Sequence, residues 1–363
     1  MQRLSKTLFY LVLLPATLAI SAWQGWAWWS WASAPPMSPA NAASSSDPEK
    51  KVQIRIPPGT SSTQIGLDLE SAGLIRSSQA WNLWARWLSI QDKPGFKAGT
   101  YQLSPAQSLP EIAEEITKGN EVQHSFTIPE GWSLKQMASY FESQGFFKAE
   151  DFLAAASQIP RDRFPWLPSN LPHLEGFLYP DTYQVAAGAI APQAIVNQML
   201  KRFEEVALPV YQQQTPRSQF SLLEWVALSS IVEKEAVIPA ERPRIAGVFV
   251  SRLRQGMRLE SDPTVEYGLN IQQTPDQPLT LNQVRTASPY NTYLNRGLPP
   301  TPIASPGVAS LKATLNPENT EYLFFVARYD GSHVFSRTLA EHETAVAAIR
   351  RQRAARRQAA SNN

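Results

Sequence analysis

The chain of 363 residues contains no cysteine, which excludes disulfides, thiolate metal sites and a cysteine nucleophile. Any domain outside the cytoplasm must therefore be stabilised by packing alone. The four histidines are His124, His173, His333 and His342, which lie far apart and never at the short spacings of zinc sites. We therefore expect no metal site and no cofactor.

An excess of charge of either sign is also missing, because 33 basic residues face 31 acidic ones and the net charge is +2. A balance of this kind gives no global field that would attract nucleic acid or a strongly acidic partner. Basic residues gather only near the end, between Arg350 and Arg357. This stretch indicates a solvated helix end, with binding to an anionic surface as the alternative. We expect no nucleic acid partner.

A long uncharged stretch from Leu8 to Ala34 follows the basic start at residues 1–7. A helix needs about 20 apolar residues to cross a bilayer, so the stretch predicts a transmembrane helix with a cytoplasmic tail. The rest of the chain should then face outward. A cleaved signal peptide is the alternative, since Ala32-Ser33-Ala34 resembles a cleavage site, but the stretch exceeds the usual apolar core of about 7 to 15 residues. Tryptophans crowd its far end, as expected at a lipid interface: Trp23, Trp26, Trp28, Trp29 and Trp31.

Residues 35–50 are rich in Pro, Ala and Ser and predict a flexible linker. An internal repeat follows, in which residues 54–75 match residues 126–147 at an offset of 72. Each copy predicts a short strand, a Pro-x-Gly turn and a helix that begins at Ser or Thr and ends at glycine. The identities are Ile56/Ile128, Pro57/Pro129, Gly59/Gly131, Ser61/Ser133, Gln64/Gln136, Glu70/Glu142, Ser71/Ser143 and Gly73/Gly145. Modules of this kind resemble glycan-binding LysM domains, and plain scaffolding is the competing interpretation.

The stretch from Ser221 to Ala236 is mostly apolar and predicts a buried helix with two acids near its end. At 100° per residue, Glu235 shares a face with Leu228 and Ile231, whereas Glu233 points roughly 160° away. A carboxyl among apolar neighbours has a raised pKa, as a general acid for glycosidic bond cleavage requires. From spacing alone, a surface glutamate paired with a nearby cation remains an open alternative.

Two polar segments downstream could form a groove near the end of this helix. Residues 256–267 should begin a turn or helix at Asp262, and residues 287–306 contain five prolines that stiffen a loop. Rigid loops with aromatic and amide groups suit sugar binding, because rings stack on pyranoses and amides meet hydroxyls. A proline-rich connection with buried tyrosines is the alternative. Further on, the pattern predicts a helix over 306–315 capped by Ser305, a hairpin over 321–336, and a last helix from Thr338.

Several long motifs, in order, resemble the MltG or YceG-like family of endolytic murein transglycosylases. They cover nearly everything after residue 50. The motifs are Glu175-Gly176, Tyr179-Pro180-Asp181-Thr182, Ser230-Ile231-Val232-Glu233-Lys234-Glu235, Gly256-Met257-Arg258-Leu259, Ser261-Asp262-Pro263-Thr264-Val265, Tyr290-Asn291-Thr292-Tyr293, Gly297-Leu298-Pro299-Pro300 and Ile303-Ala304-Ser305-Pro306-Gly307.

The resemblance implies an outward-facing inner-membrane enzyme that cuts between N-acetylmuramic acid and N-acetylglucosamine in nascent glycan strands. It makes Glu235 the catalytic acid and base, implies 1,6-anhydro ends without consumption of water, and suggests a role in terminating strand elongation near wall-synthesis enzymes. We expect substrate binding by polar residues in the matching motifs: Asp262, Thr264, Tyr290, Asn291 and Glu175.

The expected fold is α+β, with a transmembrane helix at 8–34, a linker at 35–50, LysM-like βααβ modules at 51–122 and 123–188, a mixed α/β catalytic domain at 189–350, and a basic tail at 351–363. Two other functions stay open. One is a membrane scaffold that binds peptidoglycan without chemistry, and the other is a hydrolase that pairs Glu235 with Glu233, Glu260 or Asp262.

Overall fold

The computed structural model describes residues 12–37, 51–187, 190–214, 219–274, 277–328 and 330–361. The chain divides into two compact units. The first comprises the chain up to Ser125 together with Gln184–Ile190, and the second comprises Phe126–Tyr183 and everything from Ala191 onward. The predicted cytoplasmic tail and residues 38–50 of the predicted linker lie outside the described residues.

The first unit contains helix α1 and a βααβ element order followed by one more helix. Strands β1 (Val52–Ile56) and β2 (Gly99–Leu103) pair antiparallel, with Val52 opposite Leu103 and Ile56 opposite Gly99. Trp81, Tyr101 and Leu69 are fully buried against this pair. The elements are α1 (Leu14–Ser33), β1 (Val52–Ile56), α2 (Ser62–Ser71), α3 (Ser78–Ile90), β2 (Gly99–Leu103) and α4 (Leu109–Lys118).

Helix α1 packs on this unit through its C-terminal turn. Ala32 is fully buried in the core of the unit, and the ring of Trp29 stacks on Trp84 of α3 at 6.0 Å between centroids. No helix within the described residues is both long enough and apolar enough to span a bilayer. The transmembrane helix predicted over 8–34 is therefore not confirmed, and its residues 8–11 lie outside the described part.

The repeat predicted from the sequence is present as two βααβ series. The second consists of β3 (Gln123–Thr127), α5 (Leu134–Ser143), α6 (Ala149–Ser157) and β4 (Thr182–Ala186), and the boundary between the two units passes through both of its strands. Equivalent glycines adopt the same left-handed backbone, with φ of 82° at Gly59 and 78° at Gly131. Their likeness to LysM domains is not confirmed.

The second unit is built around α8 (Leu222–Glu235), whose residues from Trp225 to Val232 are all buried. The indole Nε1 of Trp225 donates to the carbonyl of Leu311 in α12 (Val308–Leu315) at 3.0 Å. Helix α9 (Arg242–Arg254) packs on another side of α8. A hairpin of β5 (Phe324–Ala327) and β6 (His333–Ser336) packs against the same core through Phe325 and Phe335. The remaining elements are α7 (Pro192–Gln214), α8 (Leu222–Glu235), a 3₁₀ turn (Pro239–Glu241), α9 (Arg242–Arg254), α10 (Asp262–Leu269), α11 (Leu281–Val284), α12 (Val308–Leu315), β5 (Phe324–Ala327), β6 (His333–Ser336) and α13 (Leu339–Ser361).

The mixture of helices with small sheets confirms the α+β expectation at that level. One predicted helix start is wrong: α12 begins at Val308 with Gly307 as its cap, not with Ser305. Ser305 is held by two backbone hydrogen bonds instead, since its N–H donates to the carbonyl of Trp132 and its carbonyl accepts from the N–H of Gly131. The hairpin and the last helix are confirmed, and α13 continues through the predicted tail to Ser361.

Candidate active site

The candidate acid, Glu235, is the last residue of helix α8. A capping box at Ser221 and Glu224 fixes its start, and the amide of the C-cap residue Ala236 donates to Val232 at 2.9 Å in an extended conformation. The side chain of Glu235 therefore leaves from the last turn, where it meets the following loops. It is partly buried.

The two acids of the last turn take different partners, as the helix geometry predicts. Glu233 is 7% exposed, lies 3.4 Å from the Arg242 guanidinium and accepts the Gly307 amide at 3.0 Å. These contacts hold the starts of α9 and α12 on the last turn of α8. Glu235 instead accepts a hydrogen bond of 2.6 Å from the Ser261 hydroxyl.

The protonation of Glu235 is set mainly by its surroundings. Burial raises the pKa of this carboxyl to about 7, the Ser261 hydrogen bond opposes the rise, and the negative charges of Asp262 and Glu266 add to it. At neutral pH both protonation states are therefore populated. A single carboxyl with this pKa can donate a proton in one step and accept one in the next.

Ser261 is held by a network that joins the two polar segments predicted to form a groove. Its amide donates to the Thr292 hydroxyl at 3.0 Å, and its carbonyl accepts from the Thr264 hydroxyl at 2.6 Å. The two threonine hydroxyls lie 2.8 Å apart. All three residues are buried, so the position of the Ser261 hydroxyl is fixed by packing as well as by hydrogen bonds.

The residue before Ser261 has an uncommon backbone. Glu260 has a φ of 55°, a left-handed conformation that costs energy for a side chain of this kind. Its carboxylate lies 3.0 Å from the buried guanidinium of Arg252, which also donates to the carbonyls of Arg258 and Leu259. Arg252 therefore stabilises the turn that delivers Ser261 to Glu235.

Asp262 begins α10 beside Glu235 and is partly exposed. Its Oδ1 accepts a hydrogen bond of 2.7 Å from the Tyr293 hydroxyl, and Gln273 lies at 3.5 Å from Oδ2. Burial raises the pKa of Tyr293 above its usual range, and the charges of Asp262 and Glu235 contribute. The phenol therefore stays protonated and remains a donor to Asp262.

Glu175 is a second buried carboxyl in this unit. Both of its oxygens accept the Leu134 amide at the start of α5, at 3.0 and 3.1 Å, and Oε2 also accepts the Tyr267 hydroxyl at 3.0 Å. Burial raises the pKa of Glu175 to about 7, although these hydrogen bonds oppose the rise. Glu175 thus links the start of α5 to α10, the helix that begins at Asp262.

Residues 54–348 match the model of the YceG-like family. The chain belongs to this family. An endolytic murein transglycosylase of Bacillus subtilis is 31% identical over 313 residues, which cover 82% of this chain and 85% of that protein. An endolytic murein transglycosylase of Streptococcus pneumoniae is 31% identical over 331 residues, or 82% of this chain. The chain spans 58% of the length of this pneumococcal relative.

A crystal structure of a YceG-like protein from Listeria monocytogenes also resembles this chain. The TM-score is 0.55 at 33% sequence identity, and the match covers 82% of this chain and 99% of the other. The family resemblance expected from the sequence motifs is thus confirmed. Within the described residues of this YceG-like chain, no group of three or more His, Asp or Glu side chains could hold a metal ion.

The predicted site residues of this YceG-like chain fall into two sets. Glu235 and Asp262 lie side by side at the end of α8, and Thr264 supports them from within the Ser261 network. Asn291 is buried, and its amide group donates to the carbonyls of Val284 and Thr286 at 2.9 and 2.8 Å. Substrate contact by Thr264 and Asn291 stays a prediction. Their hydrogen bonds lie within the protein.

Tyr290 and Glu175 form the second set, on the other side of α10. The rings of Tyr290 and Tyr267 meet edge to face at 4.8 Å, and the Tyr290 hydroxyl lies 2.9 Å from the Thr301 hydroxyl. The site residues predicted from the sequence omit Ser261, Thr292 and Tyr293, which contact Glu235, Ser261 and Asp262, respectively. All three stood in the family motifs, but only the folded chain shows which hydroxyl meets which carboxyl.

Proposed function

We propose that this chain is an endolytic murein transglycosylase that cleaves the bond between N-acetylmuramic acid and N-acetylglucosamine within nascent glycan strands, without a cofactor. The observation that carries the proposal is the Glu235 carboxyl, with a pKa of about 7, held by Ser261 next to Asp262. Membership of the YceG-like family, with relatives named endolytic murein transglycosylase, supplies the substrate class.

Glu235 performs both proton transfers. In its neutral form it donates a proton to the glycosidic oxygen, because that oxygen is too basic to leave unprotonated, and the bond from C1 to this oxygen breaks. The resulting carboxylate then accepts the proton of the C6 hydroxyl while O6 bonds to C1. The strand ends in a 1,6-anhydro sugar, Glu235 is neutral again, and no water is consumed.

Asp262 supports this reaction as a fixed negative charge. The Tyr293 hydroxyl and Gln273 hold its carboxylate in place, and a negative charge near the sugar favours the positive charge that develops on C1. The same charge raises the pKa of Glu235, so Asp262 also keeps a proton available on the acid at neutral pH. Direct contact of Asp262, Tyr290, Asn291, Thr264 or Glu175 with the glycan belongs to this proposal.

The placement of the enzyme is part of the proposal too. The uncharged stretch at 8–34 after a basic start supports an anchor in the plasma membrane with the remainder outside, next to the wall-synthesis enzymes. The βααβ series at 51–122 and 123–188 would bind or position glycan as LysM-like modules, ahead of a catalytic domain at 189–350. Cleavage there would terminate strand elongation.

The decisive experiment compares Glu235→Gln with Glu233→Gln on purified glycan strands. Glu233 stands two residues away and binds Arg242 and Gly307 rather than Ser261, so its variant controls for changes in helix α8. We expect loss of at least about 1,000-fold in rate for Glu235→Gln, because the acid and base are removed together. Glu233→Gln should keep most of the activity per folded molecule.

Mass spectrometry of the products separates the alternatives. Anhydro ends support transglycosylation, and reducing ends one water heavier would establish a two-carboxylate hydrolase. Of the partners considered for such a hydrolase, Glu233 and Glu260 form ion pairs with Arg242 and Arg252, which leaves Asp262 as the candidate. If the wild type and Glu235→Gln bind strands equally and neither cuts them, the chain is a wall-binding scaffold.

A further inference from the structure

Helix α3 exposes apolar side chains on its outer face. Leu83, Trp87 and Ile90 are 51%, 40% and 81% exposed, and spacings of four and three residues place them on one side of the helix. The opposite side is buried, with Trp81 and Ala85 turned toward the interior of the first unit. A helix that needs one apolar face for its core therefore carries a second one toward the outside.

This outer face continues onto helix α1 through aromatic contacts. The Trp87 ring lies 4.6 Å from that of Trp84, and the Trp84 ring stacks on Trp29 of α1 at 6.0 Å. Indole rings favour the zone between lipid headgroups and acyl chains. Helix α1 exposes further tryptophans near this contact: Trp23, Trp26, Trp28 and Trp31.

Two cations, Arg86 and Lys93, accompany the apolar face, and the exposed Asp92 precedes Lys93 in the chain. A pocket of about 810 Å³ opens between α1, α2, α3 and the loop from Lys93 to Phe96, and Arg86 and Lys93 line it. No acidic side chain is among the described residues that line this pocket. The Lys93 ammonium lies 5.3 Å from the centre of the Trp87 ring, so charge and aromatic surface meet at the same place.

Neutral polar side chains also line the pocket, among them Asn82. The Oδ1 atom of Asn82 is buried and has no hydrogen-bond partner among the described residues. Thr63 and Gln79 add hydroxyl and amide groups to the same wall.

We propose that the outer face of α3 and the adjacent pocket dock onto an anionic phospholipid surface. Leu83, Trp87 and Ile90 would enter the interfacial zone beside α1, while Arg86 and Lys93 meet lipid phosphates. This inference rests on the membrane placement proposed above and goes beyond it. The first unit would lie on the bilayer rather than hang from a tether.

The absence of cysteine makes a depth measurement direct. Single variants Leu83→Cys and Ile90→Cys of the full chain are labelled with an environment-sensitive fluorophore and reconstituted in vesicles with about one third anionic lipid. Quenching by spin-labelled lipids is then measured. Leu67→Cys is the matched control, because Leu67 is also an exposed leucine, at 47%, on helix α2 of the same unit. Ser21→Cys reports on α1 itself.

We expect quenching at positions 83 and 90 at least about threefold stronger than at 67, together with quenching at 21. The double variant Arg86→Gln and Lys93→Gln, or vesicles of neutral phosphatidylcholine, should reduce the quenching at 83 and 90. Quenching at 21 without quenching at 83 and 90 overturns the docking but leaves the anchor. No quenching at any position removes the membrane placement as well, and neither result bears on glycan cleavage. Equal quenching in neutral vesicles overturns the role of Arg86 and Lys93.

Discussion

The hydroxyl of Ser261 donates a hydrogen bond of 2.6 Å to Oε1 of Glu235, across 26 positions of sequence. The bond fixes one carboxyl oxygen on the protein, so the other oxygen is the one available to a substrate. It also favours the charged form of the carboxyl and so limits how far burial raises its pKa. Ser261 is thus a positioning residue for the proposed acid.

Replacing this serine should alter both rate and pH dependence. In Ser261→Ala, we expect the pKa of Glu235 to rise above about 7, because the hydrogen bond that opposes burial is gone. The alkaline limb of kcat/KM should move to higher pH, and kcat should fall by up to about 100-fold through loss of orientation. A pH series of initial rates on glycan strands measures both effects.

Ser229→Ala is the matched control for this change. Ser229 is also fully buried, but its hydroxyl lies 2.7 Å from that of Thr314, away from Glu235. The control should lose stability in a similar way while its alkaline limb stays in place. If Ser261→Ala lowers kcat without moving the limb, the hydrogen bond does not set the pKa of the acid.

The second prediction concerns stability, since a raised carboxyl pKa has a cost. Glu235 has a pKa of about 7 in the folded chain and an ordinary pKa of 4.5, so the folded state binds the extra proton between these values. The free energy of unfolding therefore falls as pH rises from 4.5 to 7, and the loss is fully present above pH 7. Glu235→Gln removes this loss.

We therefore expect Glu235→Gln to be more stable than the wild type at pH 8, by on the order of 1 to 3 kcal/mol, and little different at pH 4.5. Denaturant unfolding at the two pH values measures this. Glu233→Gln should behave oppositely at pH 8, because its partly buried ion pair with Arg242 is lost. Equal stability of wild type and Glu235→Gln at both pH values would contradict the raised pKa.

A third prediction separates the two roles proposed for Asp262. Its charge raises the pKa of Glu235, so Asp262→Asn should move the alkaline limb of kcat/KM to lower pH. The rate should fall by roughly 10-fold to 1,000-fold if the charge also stabilises the developing positive sugar. The products should keep their anhydro ends, because Asp262 activates no water in this mechanism.

Glu266→Gln is the control for that measurement. Glu266 raises the pKa of Glu235 less than Asp262 does, and Oε1 of Glu266 accepts a hydrogen bond of 2.6 Å from the backbone N–H of Gln273. A small shift of the limb with nearly normal kcat is expected. If Asp262→Asn is inactive and the wild-type products are one water heavier than the anhydro form, the hydrolase is favoured instead.

Local signals in the sequence were sufficient for much of this site. Ser221 and Glu224 form a capping box, and the apolar run that follows them forms a buried helix. The helical period of this run also predicts that Glu233 and Glu235 point in different directions. The hairpin at residues 324–336 also follows from local turn chemistry.

Features that depend on distant parts of the chain were missed. Backbone hydrogen bonds from Ser305 to Gly131 and Trp132 hold Ser305 outside the helix, so α12 begins later than predicted. No local pattern near residue 305 indicates these hydrogen bonds. The bond between Ser261 and Glu235 likewise joins segments 26 positions apart. The sequence also does not show that the backbone turn around Asn291 accepts both of its amide donor bonds, and contact of Asn291 with sugar stays a prediction.

The last prediction tests the link between Glu175 and α10. The Tyr267 hydroxyl donates to Glu175 and favours its charged form, which forms as pH rises through about 7. In Tyr267→Phe that form loses a donor in a buried site, so the free energy of unfolding should drop by about 1 to 3 kcal/mol at pH 8. At pH 5 the carboxyl is neutral and the drop should be smaller.

Tyr290→Phe supplies the matched comparison, because its hydroxyl meets Thr301, a residue that does not titrate. Its loss of stability should be the same at pH 5 and pH 8. A Tyr267→Phe loss that is also independent of pH would show that Glu175 does not change its charge in this range. Since α10 begins at Asp262, the pH-dependent loss should be accompanied by a kcat of Tyr267→Phe that, relative to the wild type, is lower at pH 8 than at pH 5.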